Sequence, residues 1–140
     1  MHKTILFLDG SKTSILLLNE VIKSKKFIIE FIIISPNCSK IVGKKLKKKY
    51  KEKVQISNLR NRKLVKKLSL FSCDIGFSYY DKKISIDILN SLKIGGINFH
   101  PSFLPYNKGR HSTFWSINQS TPFGATAHWL NNKFDDGDIF

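Results

Sequence analysis

The stretch Thr4-Ile5-Leu6-Phe7-Leu8, then Asp9-Gly10-Ser11, then Ile15, Leu16, Leu18 and Ile22, then Phe27 to Ile34, decides how the chain folds. After Thr4, Ile5 to Leu8 are an unbroken apolar run, the mark of a strand buried on both faces. Asp9-Gly10-Ser11 punctuates it. The next apolar residues recur at helical spacing. Phe27 to Ile34 is strand-like again, rich in isoleucine and stopped by Pro36. Strand, helix, strand with short connections is a βαβ unit, whose crossover is right-handed.

Working outward, the pattern repeats. Ser39 to Lys53 reads as a helix with a basic outer face, and Val54 to Ile56 as a third strand. Asn61 to Leu70 is helical, with Leu64, Val65 and Leu68 facing inward. Asp74 to Tyr79 is a fourth strand, Ile84 to Leu92 a helix and Gly96 to Phe99 a fifth strand. The alternation predicts an α/β fold: a Rossmann-like, mostly parallel sheet with helices on both faces. Beyond it, Ser112 to Asn118 reads as a helix opened by a Ser cap, with Phe114 and Trp115 in its core. Gly124 to Leu130 reads as a strand, and Asp135-Asp136-Gly137-Asp138 as an acidic turn. No repeat, linker or composition break divides the chain, so residues 1–140 form one domain. A chain of 140 residues buries about 68% of its unfolded surface, enough for one core. The turn after the first strand has neither a glycine-rich dinucleotide fingerprint nor Walker A spacing, so NAD and ATP are not expected.

The net charge of +14 comes from 24 basic and 10 acidic residues. Only Arg60, Arg62 and Arg110 are arginine. Lysine, isoleucine, asparagine and phenylalanine share A/T-rich codons, which ascribes part of the basicity to base composition. A specific reader of phosphate or guanine would lean more on arginine forks. Half of the basic residues, 12 of the 24, lie between Lys44 and Lys67 with Glu52 as the only acid. A solvated helical face explains that segment, and an electrostatic patch for an anion or nucleic acid is the alternative. Tyr50 stands alone there, so no base-stacking platform is expected. The longest apolar stretch, Phe27 to Ile34, is broken by Glu30 and too short for a membrane span. Met1-His2-Lys3 leads straight into a strand, with no secretory signal. Cys38 and Cys73 lack disulfide or metal spacing. A cytoplasmic protein with reduced thiols is expected.

Asn98-Phe99-His100-Pro101-Ser102-Phe103-Leu104-Pro105 follows the fifth strand, at the sheet edge where ligands bind in open α/β folds. Asn98 and His100 are two apart on extended backbone, so both side chains project to one side. An amide donor can hold a developing oxyanion, and an imidazole beside it can move a proton. That pairing suits acyl transfer to an amine. On spacing alone, a strand-capping histidine and a loop-satisfying asparagine account for the pair equally well.

That stretch, then Gly109, then Gly124-Ala125-Thr126-Ala127-His128, then Phe134-Asp135-Asp136-Gly137-Asp138-Ile139, resembles the 10-formyltetrahydrofolate-dependent formyltransferase family. The family includes glycinamide ribonucleotide, methionyl-tRNA and nucleotide-sugar formyltransferases. The resemblance is specific from Gly96 to Ile139 and loose from Thr4 to Leu92. It keeps every fixed position of the Asn-x-His-Pro-Ser-x-Leu-Pro and Asp-x-Gly signature, and departs at Tyr79, where relatives often carry glycine. The resemblance implies catalytic roles for Asn98, His100 and Asp135. Asp135 opens the Asp-x-Gly turn, seven residues past the strand histidine His128. It implies direct transfer from 10-formyltetrahydrofolate to an amine. Asn98 and protonated His100 would stabilise the oxyanion, and Asp135 would orient His100. No metal is needed. The folate would lie between the loops of Tyr80, Asp81, Lys82, Lys83 and Ile84 and of Asn132, Lys133 and Phe134.

Lys108, Gly109, Arg110 and His111 are the candidate contacts for a phosphate-bearing small-molecule amine, and the segment around them looks most like the sugar-type enzymes. Methionyl-tRNA or glycinamide ribonucleotide is the alternative acceptor, and a truncated, non-catalytic folate-binding relative the non-enzyme alternative. Family domains continue past the Asp-x-Gly turn with a strand and a helix. The resemblance therefore implies an incomplete catalytic domain with a bare edge at the Gly124 to Leu130 strand, exposed apolar surface and a tendency to self-associate.

Overall fold

A computed structural model describes residues 1–140. The elements run β1 (His2–Leu8), α1 (Lys12–Lys23), β2 (Phe27–Ile34), α2 (Lys40–Tyr50), β3 (Val54–Ile56), α3 (Arg62–Leu70), β4 (Ile75–Tyr79), α4 (Ile86–Ser91), β5 (Gly95–His100), α5 (Ser112–Asn118) and β6 (Thr126–Trp129). One six-stranded sheet has the order β3-β2-β1-β4-β5-β6. All neighbours are parallel except β6, which pairs antiparallel with β5. The chain order reverses between β1 and β4, which opens a crevice at the carboxyl ends of those strands.

Alternation along the central strands builds a core on each face. Ile5, Phe7, Phe31 and Ile33 pack with Leu68 of α3 and with Ile88 and Leu89 of α4. Leu6, Leu8, Ile32 and Ile34 pack with Leu18 and Val21 of α1 and Leu46 of α2. Both cysteines are free. Burial pushes the Cys73 thiol up to about 11, which disfavours the reactive thiolate. No helix is long and apolar enough to cross a membrane.

The elements differ from expectation where local chemistry intervenes. α2 stops at Tyr50 because Lys51 takes φ of 49°, and Lys51–Lys53 form a short 3-10 turn into β3. α4 starts at Ile86 because Ser85 caps it, accepting from the Asp87 N–H, while Ile84 sinks into the core. The expected Ser cap of α5 is absent. His111, at φ of 60°, occupies the cap position with no side-chain bond, and the Ser112 hydroxyl donates to the Pro101 carbonyl instead. Nor do Phe114 and Trp115 form a helix core. They are 59% and 42% exposed, and α5 buries its small face, Ser112 and Ser116. Ser112 is held inward by its bond to the loop and Ser116 by a bond back to the Thr113 carbonyl within the helix, which turns the aromatic face to solvent.

β6 is shorter than expected, and its outer edge is not bare. The Trp129 N–H donates to Asp138 O at 2.9 Å, Phe140 N–H donates to Ala127 O at 3.1 Å, and His128 bridges Ile139. Asp138 to Phe140 thus pair antiparallel along that edge.

Candidate functional site

β5 delivers Asn98 and His100 at its carboxyl end, and β6 delivers His128 directly opposite Asn98 in the antiparallel register. The acidic turn then folds Asp135 back over them. The close approach depends on Gly137, where an added Cβ would lie 1.7 Å from the Trp129 carbonyl oxygen. Asp135 itself adopts φ of 47°, a left-handed conformation that aspartate tolerates better than most residues.

One carboxylate oxygen, Asp135 Oδ1, is the hub. Asn98 Nδ2 lies 3.4 Å from it, His100 Nδ1 3.5 Å and His128 Nε2 3.6 Å. The other, Oδ2, accepts the Gly109 N–H at 2.8 Å. His100 Nε2 lies 3.2 Å from the Asn107 carbonyl, so each of its ring nitrogens faces an oxygen, an arrangement that two ring N–H groups satisfy. His128 is held differently. Its Nδ1 faces its neighbour's carbonyl, Trp129 O, at 2.9 Å, which leaves Nε2 to accept from Asn98 Nδ2 at 3.2 Å. His100 and His128 are both buried.

The loop after β5 is built to carry this cluster. Thr126 Oγ1 donates to Ser102 O at 2.6 Å and accepts the Leu104 N–H at 3.0 Å, tying the loop to β6. Asn107 Nδ2 donates to Thr121 Oγ1. Asn107, Gly109 and His111 all take positive φ, and Gly109, at 84°, turns its N–H onto Asp135.

Two clefts meet at the cluster. One, of about 720 Å³, is lined by Asp81, Lys82, Lys83 and Ile84 on one side and Asn132 and Phe134 on the other. A narrow gap bordered by Tyr80, Lys133 and Phe134 connects it to Asn98 and Asp135. The volume lies in the range of pockets that enclose cofactor-sized molecules. The second cleft, of about 320 Å³, lies at the switch between β1 and β4 and reaches Asn98 and His100 past Asp9, Tyr79, Gly109, Arg110 and His111. Lys108 is not on its wall; its ammonium pairs with Asp136 and straps the loop to the acidic turn. That hydrogen bond, with the charges of Lys108 and Lys133, holds the Asp136 carboxyl below the usual carboxylate range. Burial pushes the Asp81 carboxyl upward, but hydrogen bonds from Lys82, Ser35 and Asn37 outweigh it and leave it lowered. Burial, then the Asp81 charge, pushes the Tyr80 phenol up, and its hydroxyl donates to the Ser57 carbonyl as a strut.

Neither His128 nor the far wall of the larger cleft, Asn58, Leu59 and Arg60, is among the site residues that the sequence predicts. His128 carried a signal, since its spacing from Asp135 had marked the turn. The far wall carried none, because it comes from the β3–α3 connection, distant in the chain.

A family model described as formyl transferase matches residues 37–140. The bifunctional polymyxin resistance protein ArnA of Wigglesworthia glossinidia brevipalpis is 39% identical over 98 residues, which are 66% of this chain and 15% of that protein. The chain thus spans a small part of that curated relative. The solved phosphoribosylglycinamide formyltransferase from Bacillus halodurans superposes with a TM-score of 0.77 at 20% identity, over 98% of this chain and 76% of that one. A formyltransferase, PseJ, from Anoxybacillus kamchatkensis was solved with UDP-4,6-dideoxy-4-formamido-L-AltNAc and tetrahydrofolate. It superposes with a TM-score of 0.60 at 23% identity, over 97% of this chain and 57% of that one.

Proposed function

The chain belongs to the formyltransferase family, and from that premise we propose that it moves a formyl group from N10 of 10-formyltetrahydrofolate to a primary amine carried on a nucleotide-linked sugar. The observation that supports this most is the convergence of Asn98, His100 and Asp135 where two clefts meet. Such a junction lets a folate enter from the Lys83 side and an amine from the Arg110 side, with the reacting carbon between them. The sugar acceptor follows the ligand of the Anoxybacillus relative. Arg110 and His111 supply donors for its phosphates.

In this reading the neutral amine attacks the formyl carbon. Asn98 swings one amide N–H from its long 3.4 Å contact with Asp135 to the developing oxyanion. His100, charged and held by Asp135 and the Asn107 carbonyl, adds a second donor. Asp135 takes the proton that the attacking amine sheds and passes it to N10 as the old C–N bond breaks. His128 is a positioning residue: it accepts from Asn98 and fixes the amide's orientation.

Formyl transfer from 10-formyltetrahydrofolate should be measured against nucleotide-linked amino sugars, glycinamide ribonucleotide and methionyl-tRNA. Sugar formylation is expected, with His100→Ala lowering turnover by about 10²-fold or more while the protein stays folded. Transfer to none of the three, or undiminished turnover in folded His100→Ala, would overturn the reading.

A further inference from the structure

The ion pair of Lys108 and Asp136 stands outside both clefts. Neither residue borders the larger cleft, the gap that leads from it or the acceptor cleft. What distinguishes the pair is its register. Lys108 and Gly109, consecutive in the loop after β5, hold Asp136 and Asp135, consecutive in the acidic turn. Asp136 is anchored within its own turn as well. Lys133 Nζ lies 3.6 Å from its other carboxylate oxygen, and Asn131 Nδ2 donates to its carbonyl at 3.1 Å.

The Asp135 carboxylate has little else to hold it. Its Oδ1 comes no closer than 3.4 Å to Asn98 and 3.5 Å to His100, and its one hydrogen bond under 3 Å is the 2.8 Å bond from the Gly109 N–H. Its backbone, at φ of 47°, persists only where the surroundings impose it. Packing does not place Gly109. Apart from its chain neighbours, no atom lies within 4 Å of where a Cβ would stand. Residues 108–110 make two hydrogen bonds, those of Lys108 to Asp136 and Gly109 to Asp135. The position of the Gly109 N–H therefore depends on the grip of the preceding residue on Asp136.

We propose that Lys108 and Asp136 are positioning residues for formyl transfer, an assignment that rests on the functional reading above. Their ion pair holds the Gly109 N–H against Asp135 and so keeps that carboxylate over Asn98 and His100. Neither residue touches folate or amine. Breaking the pair leaves both clefts intact and frees the Asp135 carboxylate to move, so the rate falls while binding does not. Both residues are exposed, and an exposed pair biases the turn rather than locking it. The loss therefore stays below the roughly 10²-fold of a full 1 Å misplacement.

Steady-state kinetics test the assignment, with 10-formyltetrahydrofolate and whichever of the three amines above the unaltered protein formylates. Lys108→Met and Asp136→Asn should each lower kcat about fivefold and leave both KM values within about twofold. Lys108→Met/Asp136→Asn should lose no more than either change alone, because each already breaks the pair. Lys108→Arg keeps the charge and should hold kcat within about twofold of the unaltered protein. Both positions are exposed and outside the two core clusters, so thermal melts should show every variant folded. Unchanged kcat in Lys108→Met overturns the assignment while the functional reading stands. So do losses that multiply in the double variant, a change confined to the KM of the amine, or a Lys108→Arg protein as slow as Lys108→Met. An unaltered protein that formylates none of the three amines overturns the functional reading and this assignment together.

Discussion

Adding one methyl group at Gly137 should disable the site without unfolding the protein. The Cβ of Gly137→Ala would sit 1.7 Å from the Trp129 carbonyl oxygen and 2.7 Å from its carbonyl carbon. Both atoms are backbone and cannot rotate aside. Relief to an ordinary contact of about 3.3 Å requires the turn to rise by roughly 1.5 Å. That displacement breaks the Trp129–Asp138 and Phe140–Ala127 hydrogen bonds, a local cost of about 2 kcal/mol at about 1 kcal/mol each. The two core clusters contain no residue after Leu130, so the main unfolding transition should move little.

The site has no such tolerance. Asp135 lies two residues before Gly137, and its Oδ1 reaches Asn98, His100 and His128 only at 3.4, 3.5 and 3.6 Å. A misplacement of about 1 Å costs about 10²-fold in rate, so kcat should fall by at least that factor. Steady-state kinetics with 10-formyltetrahydrofolate and the accepted amine, with circular dichroism and a thermal melt alongside, measure both effects. A folded Gly137→Ala protein with unchanged kcat would refute the claim that this turn positions Asp135.

Asn98→Asp should lose at least as much turnover as Asn98→Ala, because a carboxylate repels the oxyanion; comparing the two kcat values decides it. Since Asp136 is held below its ordinary value near 3.8, its strap to Lys108 is fully formed above that pH and is lost as pH falls through the lower folded value. An NMR titration of the Asp136 carboxyl should show that midpoint moving upward in Lys108→Met. Phe114 and Ile117 are 59% and 76% exposed, so Phe114→Ser/Ile117→Ser should change stability by no more than about 0.5 kcal/mol. In sedimentation at high protein concentration the same variant should show less self-association, and unchanged association would clear this face of any part in it.

The site was legible in the sequence to the extent that its residues are near neighbours in the chain. Asn98 and His100 share a strand, and period-two alternation alone turns both side chains the same way. Asp135 was legible through the resemblance, by its place in the Asp-x-Gly turn. Lys108 shows the limit. As a cation beside Arg110 it looked equally suited to a phosphate, and only the folded turn gives it Asp136 as a closer partner. Phe114 and Trp115 show another limit: aromatic residues on a short helix look like core, yet α5 packs through its serines.

The central strands and helices were determined by the sequence itself. Runs such as Thr4 to Leu8 and Phe27 to Ile34 satisfy the burial demands of a parallel sheet on both faces, whatever their neighbours do. Hydrophobic periodicity is a local property, and it survives being read locally. Only the tertiary structure decided that His128 stands opposite Asn98, that one Asp135 oxygen lies within reach of both Asn98 and His100, and that Arg60 closes a wall begun by Lys83. Those placements depend on strand register, on a glycine that lets two backbones touch, and on loops meeting across the sheet edge. Each is a relation between segments far apart in the chain, and pairwise distance of that kind is written in no single stretch of it.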